Sequence, residues 1–587
     1  MVNKYDVDEK NTNFNMKNIF RLLSYTKNHK FKLFLAFLFS IIVTITTLLT
    51  TKIFQYVLDD VIVNKDIKKL ILCASLEIIC ILIIILFDKL KEKQLVKVNL
   101  EIIYDLKNDL FSHIQYLSSD YFDTRPHGKI LVRVTEYTES VSSLITNQLV
   151  STIMNFINLI FVFIFMLITN VTLTAITLVG IVLLILIFAS TSKVKRSLCM
   201  DINNKNANSN AYLVESLKGI STTQAFNREA VNEEIYQDLS SALVTARNRI
   251  RPYANLGWFS TQNISTITTC AIYFVGIKYL FPNISVGQIA AMGSYSERFW
   301  WPIRSFFNTV DSFIETMTYL ERILETIDEE IKIKNSENKK EIALSGEITF
   351  KDVCFSYDGK RNVLNGVNFS IQPKEKVAIV GETGSGKTTI TNLLARFYDV
   401  SLGNIYLDEI DVKEIDLHAL RKQVTIMQQD NFLFSDTILN NLKYGNEKIT
   451  EEEVREVCKK LEIDSFICSL EDGYNTVLEN NAQDLSEGQK QLLSYARVIL
   501  NNPKILVLDE ATSKIDVQTE KIIEKKVKQL LKDKTTITIA HRLSTITNSD
   551  KILFIKNSII SEVGTHEELM KLKGDYYNLY MSQYKLY

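Results

Sequence analysis

The chain has 587 residues, more than one hydrophobic core usually supports, so length alone implies several domain-sized units. Its 67 basic and 68 acidic residues leave a formal net charge of −1, which offers neither the footprint of a nucleic-acid binder nor a solvating acidic tail. The 7 cysteines are scattered, with no C-x-x-C pair and no histidine at metal-ligand spacing, so they read as reduced packing residues rather than a disulfide frame or a zinc site.

The N-terminal segment up to Lys30 is polar and mixed in charge. It lacks the basic start and short apolar core of a secretory signal and is expected to stay in the cytosol. Residues 33–51, LFLAFLFSIIVTITTLLTT, carry no charge and suffice to cross the hydrocarbon core once as a helix. A second span is expected from Leu70 to Phe87. The uncharged block Ser140–Ser192 is too long for one crossing and fits two helices turning near Thr169 and Asn170. The fifth span is placed at Leu256–Phe281. The sixth starts near Val286 and turns polar through Glu297, Arg298, Arg304 and Asp311.

Six spans return both termini to one side of the membrane. Lys and Arg crowd the loops between spans two and three and between four and five, so those loops, both termini and the domain after the sixth span are expected in the cytoplasm. Both loops carry helix-like patterns too long for connectors, which predicts membrane helices that run on into the cytosol and turn there. Glu77, inside the second span, is costly enough to be a functional candidate; it is expected to face a water-filled cavity or a polar partner helix, with substrate or proton contact the alternative. Glu297 and Arg298 can pair or hydrate one another. Trp300 and Trp301 read as interfacial anchors, with stacking on a flat ligand the alternative.

From about residue 325 onward Lys and Glu are dense, as in a soluble domain. KVAIV (376–380) reads as a buried strand, and GETGSGKTT (381–389) follows it directly before the helical stretch ITNLLARF. Gly381, Gly384 and Gly386 let the backbone wrap an anion, with Glu382, Thr383, Ser385 and Thr389 completing the loop. Lys387 reaches the β and γ phosphates, and the Thr388 hydroxyl suits Mg²⁺. A second apolar strand, in KILVLDEATS (504–513), ends in Asp509 and Glu510, the places for the metal-side acid and for the base that polarises water. A third, in TTITIAHRLS, ends at His541, which can reach the γ-phosphate. Finally DLSEGQKQLL (484–493) sets Glu487 beside Ser486 and Gly488 in a loop suited to phosphate.

These motifs, in this order, resemble an ATP-binding cassette half-transporter of the exporter type, and the likeness covers essentially the whole chain. Walker A is GETGSGKTT, Walker B is ILVLDE, the signature is LSEGQ, the D-loop is SKID and the switch histidine lies in AHRLS. The resemblance implies an α-helical six-span transmembrane domain at 1–325, a linker at 326–345, and an α/β P-loop ATPase domain with a helical subdomain at 346–587. It makes Tyr357 in FSYDGK the aromatic that stacks on adenine. It makes Gln429 in MQQD a glutamine that senses Mg²⁺, and Asp516 the aspartate that signals across a dimer. The stretches 119–130 and 215–229 resemble the family's two intracellular loops, whose short helices dock on ATPase domains.

In that family Ser486, Gly488 and Gln489 of the signature serve the ATP held by another cassette's P-loop, so a chain with one cassette works as a dimer. Glu487 stands where the family usually has glycine, and ENNAQD (479–484) also departs from its pattern. This resembles one subunit of the bacterial heterodimeric multidrug exporters, in which one ATP site is weak. The expected partner is therefore a different half-transporter, with a homodimer the alternative. The implied function is ATP-driven export of a hydrophobic or amphipathic substrate across the cell membrane, with Mg²⁺ and membrane lipid but no nucleic acid; peptide export and a homodimeric lipid flippase are the alternatives. A soluble ATPase acting on nucleic acid is disfavoured by the six spans, and an importer by the fusion of membrane and ATPase regions.

Overall fold

The computed structural model describes residues 16–125, 127–335, 344–427, 432–479, 482, 484–509, 533–539 and 546–584. They fall into two compact units: Met1–Gln115 with His127–Glu329, and Tyr116–Pro126 with Glu330–Tyr587. The helices up to Glu329 are α1 Met16–Ser24, α2 Lys30–Tyr56, α3 Ile67–Tyr116, α4 Ser119–Thr124, α5 His127–Thr169, α6 Val171–Lys218, α7 Ile220–Ala225, α8 Glu229–Val275 and α9 Val286–Ile327. All but α4 lie in the first unit.

In that unit the expected turn between the third and fourth spans is one residue, Asn170. It leaves the helical region (φ −166°, ψ 119°) and its side chain caps α6 by accepting from the Leu173 N–H at 3.0 Å. Ser285 and Gln288 form a reciprocal cap that starts α9. Among the described residues four helical stretches are long and apolar enough to cross a membrane: Lys27–Val61, Ile67–Tyr116, His127–Thr169 and Val171–Thr191. The fifth and sixth expected spans occupy the end of α8 and the start of α9, which are richer in Thr, Ser and charge.

Helix α3 changes character along its 50 residues. Its first half is apolar on every side, with Leu70, Ile71, Leu76, Ile79 and Leu82 all exposed, as suits a helix surrounded by lipid. Its second half buries a stripe at helical spacing, Val98, Ile102, Leu106 and Leu110, in a core shared with Leu22, Leu144 and Leu320. Within the membrane a second core gathers Met166, Leu173, Met292, Phe299 and Trp300. Trp300 is fully buried and its Nε1–H donates to Thr268 Oγ1 at 3.1 Å, so it is a core residue and not the interfacial anchor its position in sequence suggests; Trp301 is exposed. Glu77 is half-buried, Glu297 exposed and Arg298 half-buried. The cysteines are free. Cys73 and Cys458 are buried, but Cys270 and Cys468 are exposed, against the expected packing role.

The second unit holds two sheets. Strands β1 Ile348–Phe355, β2 Leu364–Ile371, β4 Leu402–Leu407 and β5 Ile410–Asp411 form an antiparallel sheet in the order β2-β1-β4-β5. Strands β3 Lys376–Gly381, β6 Val424–Met427, β7 Ile505–Asp509, β8 Thr535–Ile539, β9 Lys551–Lys556 and β10 Ile559–Gly564 form the other, ordered β10-β9-β3-β8-β7-β6. Five of these six are parallel, and β3 and β9 are continuous apolar runs because both faces of the sheet are covered. Helices α10 Lys387–Leu394, α11 Leu417–Gln423, α12 Ile438–Lys443, α13 Glu451–Lys460, α14 Asp464–Ser469 and α15 Glu487–Asn501 follow in chain order, with α16 His566–Leu572 and α17 Asp575–Tyr584 at the end. Apart from α16 and α17, whose Leu569 and Tyr576 pack with β9 in a core of their own, they serve two separate cores. Ile390, Leu393 and Leu394 of α10 join the strands in one. Leu493, Tyr495, Ala496 and Val498 of α15 join α12, α13 and α14 in the other.

Candidate nucleotide-binding site

The parallel strands bring their C-terminal ends to one edge of the sheet, where ligands of such folds bind. Gly381 ends β3 and Lys387 opens α10, so 382–386 form the loop between them. Gly386 caps α10 at φ +105°, and a Cβ there would sit 2.8 Å from Leu364 Cδ2 and 3.0 Å from the Val363 carbonyl. Only glycine fits both the conformation and the space. At Gly384, φ +82°, a Cβ would meet nothing within 4 Å, and Glu382 and Thr383 are exposed, so the outer side of the loop is open.

Lys387 folds back over this loop, donating from Nζ to the carbonyls of Gly381 (2.8 Å) and Glu382 (2.9 Å). Ser385 Oγ is buried without a hydrogen-bond partner among the described residues. A buried hydroxyl left over in a glycine cradle at a helix N-terminus, with an ammonium across its mouth, is a donor set that fits phosphate oxygens. The two threonines divide: Thr388 is exposed in the first turn of α10, whereas Thr389 is buried.

Thr389 reaches Tyr357, whose Oη lies 3.1 Å from Thr389 Oγ1. The Tyr357 ring stands perpendicular to Phe355 (4.8 Å between centroids, 85°) and to Tyr398 (5.1 Å, 90°), and is 44% exposed, so it is braced by its neighbours while part of it stays open. Tyr398 was not singled out by the sequence. Its hydroxyl donates to Asp123 of α4, and burial, then that carboxylate, push it well above the usual tyrosine range. Lys332 pairs with Asp120 of the same short helix. The sequence cue for Tyr398 was available in an aromatic one turn beyond the P-loop helix, but its acceptor lies 275 positions away.

Asp509 closes β7. The ladder aligns it with Ile539 of β8, which is in turn aligned with Ile379 of β3, so Asp509 and the P-loop leave the same edge with one strand between them. Thr388 and Asp509 are hard oxygen donors of the kind Mg²⁺ takes, and so fit it. Gln429, Glu510, Asp516 and His541 lie outside the described residues.

On the second core, Ser486 is the N-cap of α15. Its Oγ accepts from the Gln489 N–H at 3.3 Å, and the Gln489 side chain accepts from the Ser486 N–H at 2.8 Å. The cap consumes an Oγ lone pair and leaves the hydroxyl hydrogen, together with the N–H groups of Glu487 and Gly488, at the positive end of a 15-residue helix. Glu487 occupies the first helical position, and its Oε1 is 3.3 Å from Lys490 Nζ.

Two family descriptions match the chain: "ABC transporter transmembrane region" over residues 33–303 and "ABC transporter" over 364–513. The chain is 35% identical to the Bacillus subtilis ABC transporter ATP-binding protein YknV, over 97% of this chain and 95% of that one. It is 33% identical to a Staphylococcus aureus chain named as a multidrug export ATP-binding/permease protein, over 96% of this chain and 99% of that one. Its fold matches the solved structure of a bacterial Atm1-family ABC exporter with ATP bound, at a TM-score of 0.79 and 25% identity, covering 95% of this chain and 98% of the other.

Proposed function

The chain belongs to the ABC transporter family, as an exporter half whose ATP hydrolysis is coupled to transport, and from that premise we propose that it exports a hydrophobic or amphipathic substrate of drug or lipid type across the cell membrane, paired with a different half-transporter. The observation that carries the pairing is the division of the ATPase unit: the P-loop helix α10 packs in one core and the signature helix α15 in another. One cassette thus presents a phosphate cradle and a phosphate-facing helix start as two surfaces, and a second cassette, placed head to tail, complements both. The off-pattern Glu487 favours a partner whose own signature differs. The export name carried by the Staphylococcus aureus relative supports the drug-type substrate.

In this reading residues 1–325 are the membrane domain, 326–345 the linker and 346–587 the ATPase domain, with both termini and the ATPase cytoplasmic. The loop Gly381–Thr389 wraps the phosphates, Lys387 clamps the β and γ groups and Tyr357 stacks on adenine. Thr388, Asp509 and Gln429 would hold Mg²⁺, which would supply neutralisation of the phosphate charge. Glu510 accepts the proton of the attacking water, His541 hydrogen-bonds the γ-phosphate, Asp516 signals across the dimer, and Ser486, Gly488 and Gln489 close the partner's nucleotide. Closed cassettes bind ATP better than open ones, and that difference in affinity drives the membrane helices from one access state to the other.

Affinity purification of a tagged chain from its native membrane is expected to bring down a second half-transporter in equal amount. Recovery of tagged and untagged copies of this chain alone overturns the heterodimer. Inverted vesicles carrying the complex are expected to take up an amphipathic fluorescent dye with ATP and to stop after Glu510→Gln; uptake that survives that change, or that needs no ATP, overturns the transport reading.

A further inference from the structure

The acid in the signature is not left to face the incoming nucleotide. Glu487 sits one turn before Lys490 on α15, the spacing at which two helical side chains meet, and their charged atoms lie 3.3 Å apart. The two partners are not equally placed. The Lys490 side chain is only 10% exposed, whereas that of Glu487 is 48% exposed and could reach in several directions. A nearly buried ammonium needs a counter-charge, and among the described residues Glu487 is the acid that pairs with it. The pair therefore ties the carboxylate to the Lys490 ammonium, which competes with any reach toward the N–H groups and the Ser486 hydroxyl at the helix start.

Resting on the reading that this helix start closes the partner's ATP, we propose that Lys490 is a positioning residue: it holds the Glu487 carboxylate off the phosphate-facing end of the signature and so keeps an acid-bearing signature usable. The physical reason is the sign of the interaction. An acid at the first position of a helix suits the helix dipole, but a triphosphate arriving at the same end meets a like charge. With Lys490 in place that charge is neutralised and turned aside; without it, the carboxylate is free to swing toward the nucleotide.

The test is a four-way comparison in the reconstituted dimer: the unchanged chain, Lys490→Met, Glu487→Gln and the double variant, each read as the ATP concentration for half-maximal nucleotide trapping. Lys490→Met is expected to raise that concentration by at least about tenfold, well inside what one carboxylate a few ångströms from a triphosphate costs at an effective dielectric of ~20 before solvent and salt screen it, and the loss should shrink as salt is raised. The double variant should return to within about threefold of Glu487→Gln, because there is no longer an acid to release. Lys490→Arg, which keeps the charge, should stay close to the unchanged chain and guards against a simple packing defect. An equal shift from Lys490→Met with and without Glu487 overturns the proposal, as does a tenfold gain from Glu487→Gln alone, since the carboxylate would then already face the nucleotide with Lys490 present. Ser486→Ala separates the two levels. If it weakens trapping while Lys490→Met does not, the positioning role falls alone; if it is silent, the reading of the helix start as part of the partner's site falls, and this inference with it.

Discussion

The P-loop and the signature are both loops at the start of a helix, and each suits the phosphate-facing role proposed for it by different means. At the P-loop the positive potential is backbone and shape: Gly384 and Gly386 have positive φ, Lys387 bridges two loop carbonyls, and at Gly386 neighbours crowd the place where a Cβ would stand. At the signature it is a capped helix end, with Ser486 and Gln489 locked to one another and the adjoining acid tied down by a lysine. The first arrangement tolerates almost no substitution at Gly386, where conformation and space both demand glycine. The second tolerates Glu487 because a side chain can be steered where a backbone cannot.

That contrast can be broken at several points. The largest effect is expected on the P-loop side, where Glu510→Gln should lower ATP hydrolysis by ~100-fold or more while ATP still binds, since only the proton acceptor is lost. Turnover near the unchanged rate would show that this half does not carry the chemistry. Gly386→Ala comes next. A left-handed residue costing ~1–3 kcal/mol and a Cβ inside contact distance of Val363 and Leu364 should weaken ATP binding by about 10- to 100-fold, measured by equilibrium binding to the purified complex. Binding within a factor of two would mean the loop is not shape-limited.

Ser486→Ala should cost about tenfold in nucleotide trapping, from the lost hydroxyl and a cap contributing ~1 kcal/mol. A loss as large as that of Gly386→Ala would erase the distinction between the loops. Smallest is Tyr357→Phe, which keeps the stacking ring but removes the Oη contact to Thr389 and should weaken ATP binding by no more than about fivefold, one neutral hydrogen bond. Tyr357→Ala should cost ~1–3 kcal/mol in the same titration. If Phe is as poor as Ala, the hydroxyl and not the ring face is what the nucleotide needs.

The sequence made legible what depends on local pattern. The turn at Asn170 follows from an uncharged block too long for one crossing, and the P-loop from a β-branched run meeting glycines. The signature helix starts at Glu487 because Ser486 and Gln489 stand at capping-box spacing. Non-local facts were not legible. Trp300 looked interfacial because a Trp pair beside charge usually is, but in three dimensions it fills the membrane core against Thr268. The hydroxyl partner of Tyr357 required knowing that the segment after β1 reaches the P-loop helix α10. The Glu487 and Lys490 pair is a different omission, since its spacing alone would have revealed it. The residues proposed for catalysis and switching, Glu510 and His541, remain arguments from sequence, because they lie outside the described residues.

The short helix α4 has a consequence for how the molecule is made. Its Asp123 accepts from Tyr398, and its Asp120 pairs with Lys332, across separations of 275 and 212 residues. The compact unit that contains the ATPase is therefore not a continuous stretch of chain: one piece leaves the ribosome early, and its complement only after four more long helices, α5, α6, α8 and α9. Until the later piece arrives, Asp120 and Asp123 are solvated by water. When it does, closing so long a loop costs little more than closing one half its length, because that entropy grows only with the logarithm of the span. A soluble fragment begun at Glu330 lacks that early piece from the outset, and leaves the Tyr398 hydroxyl without the carboxylate it was folded to meet.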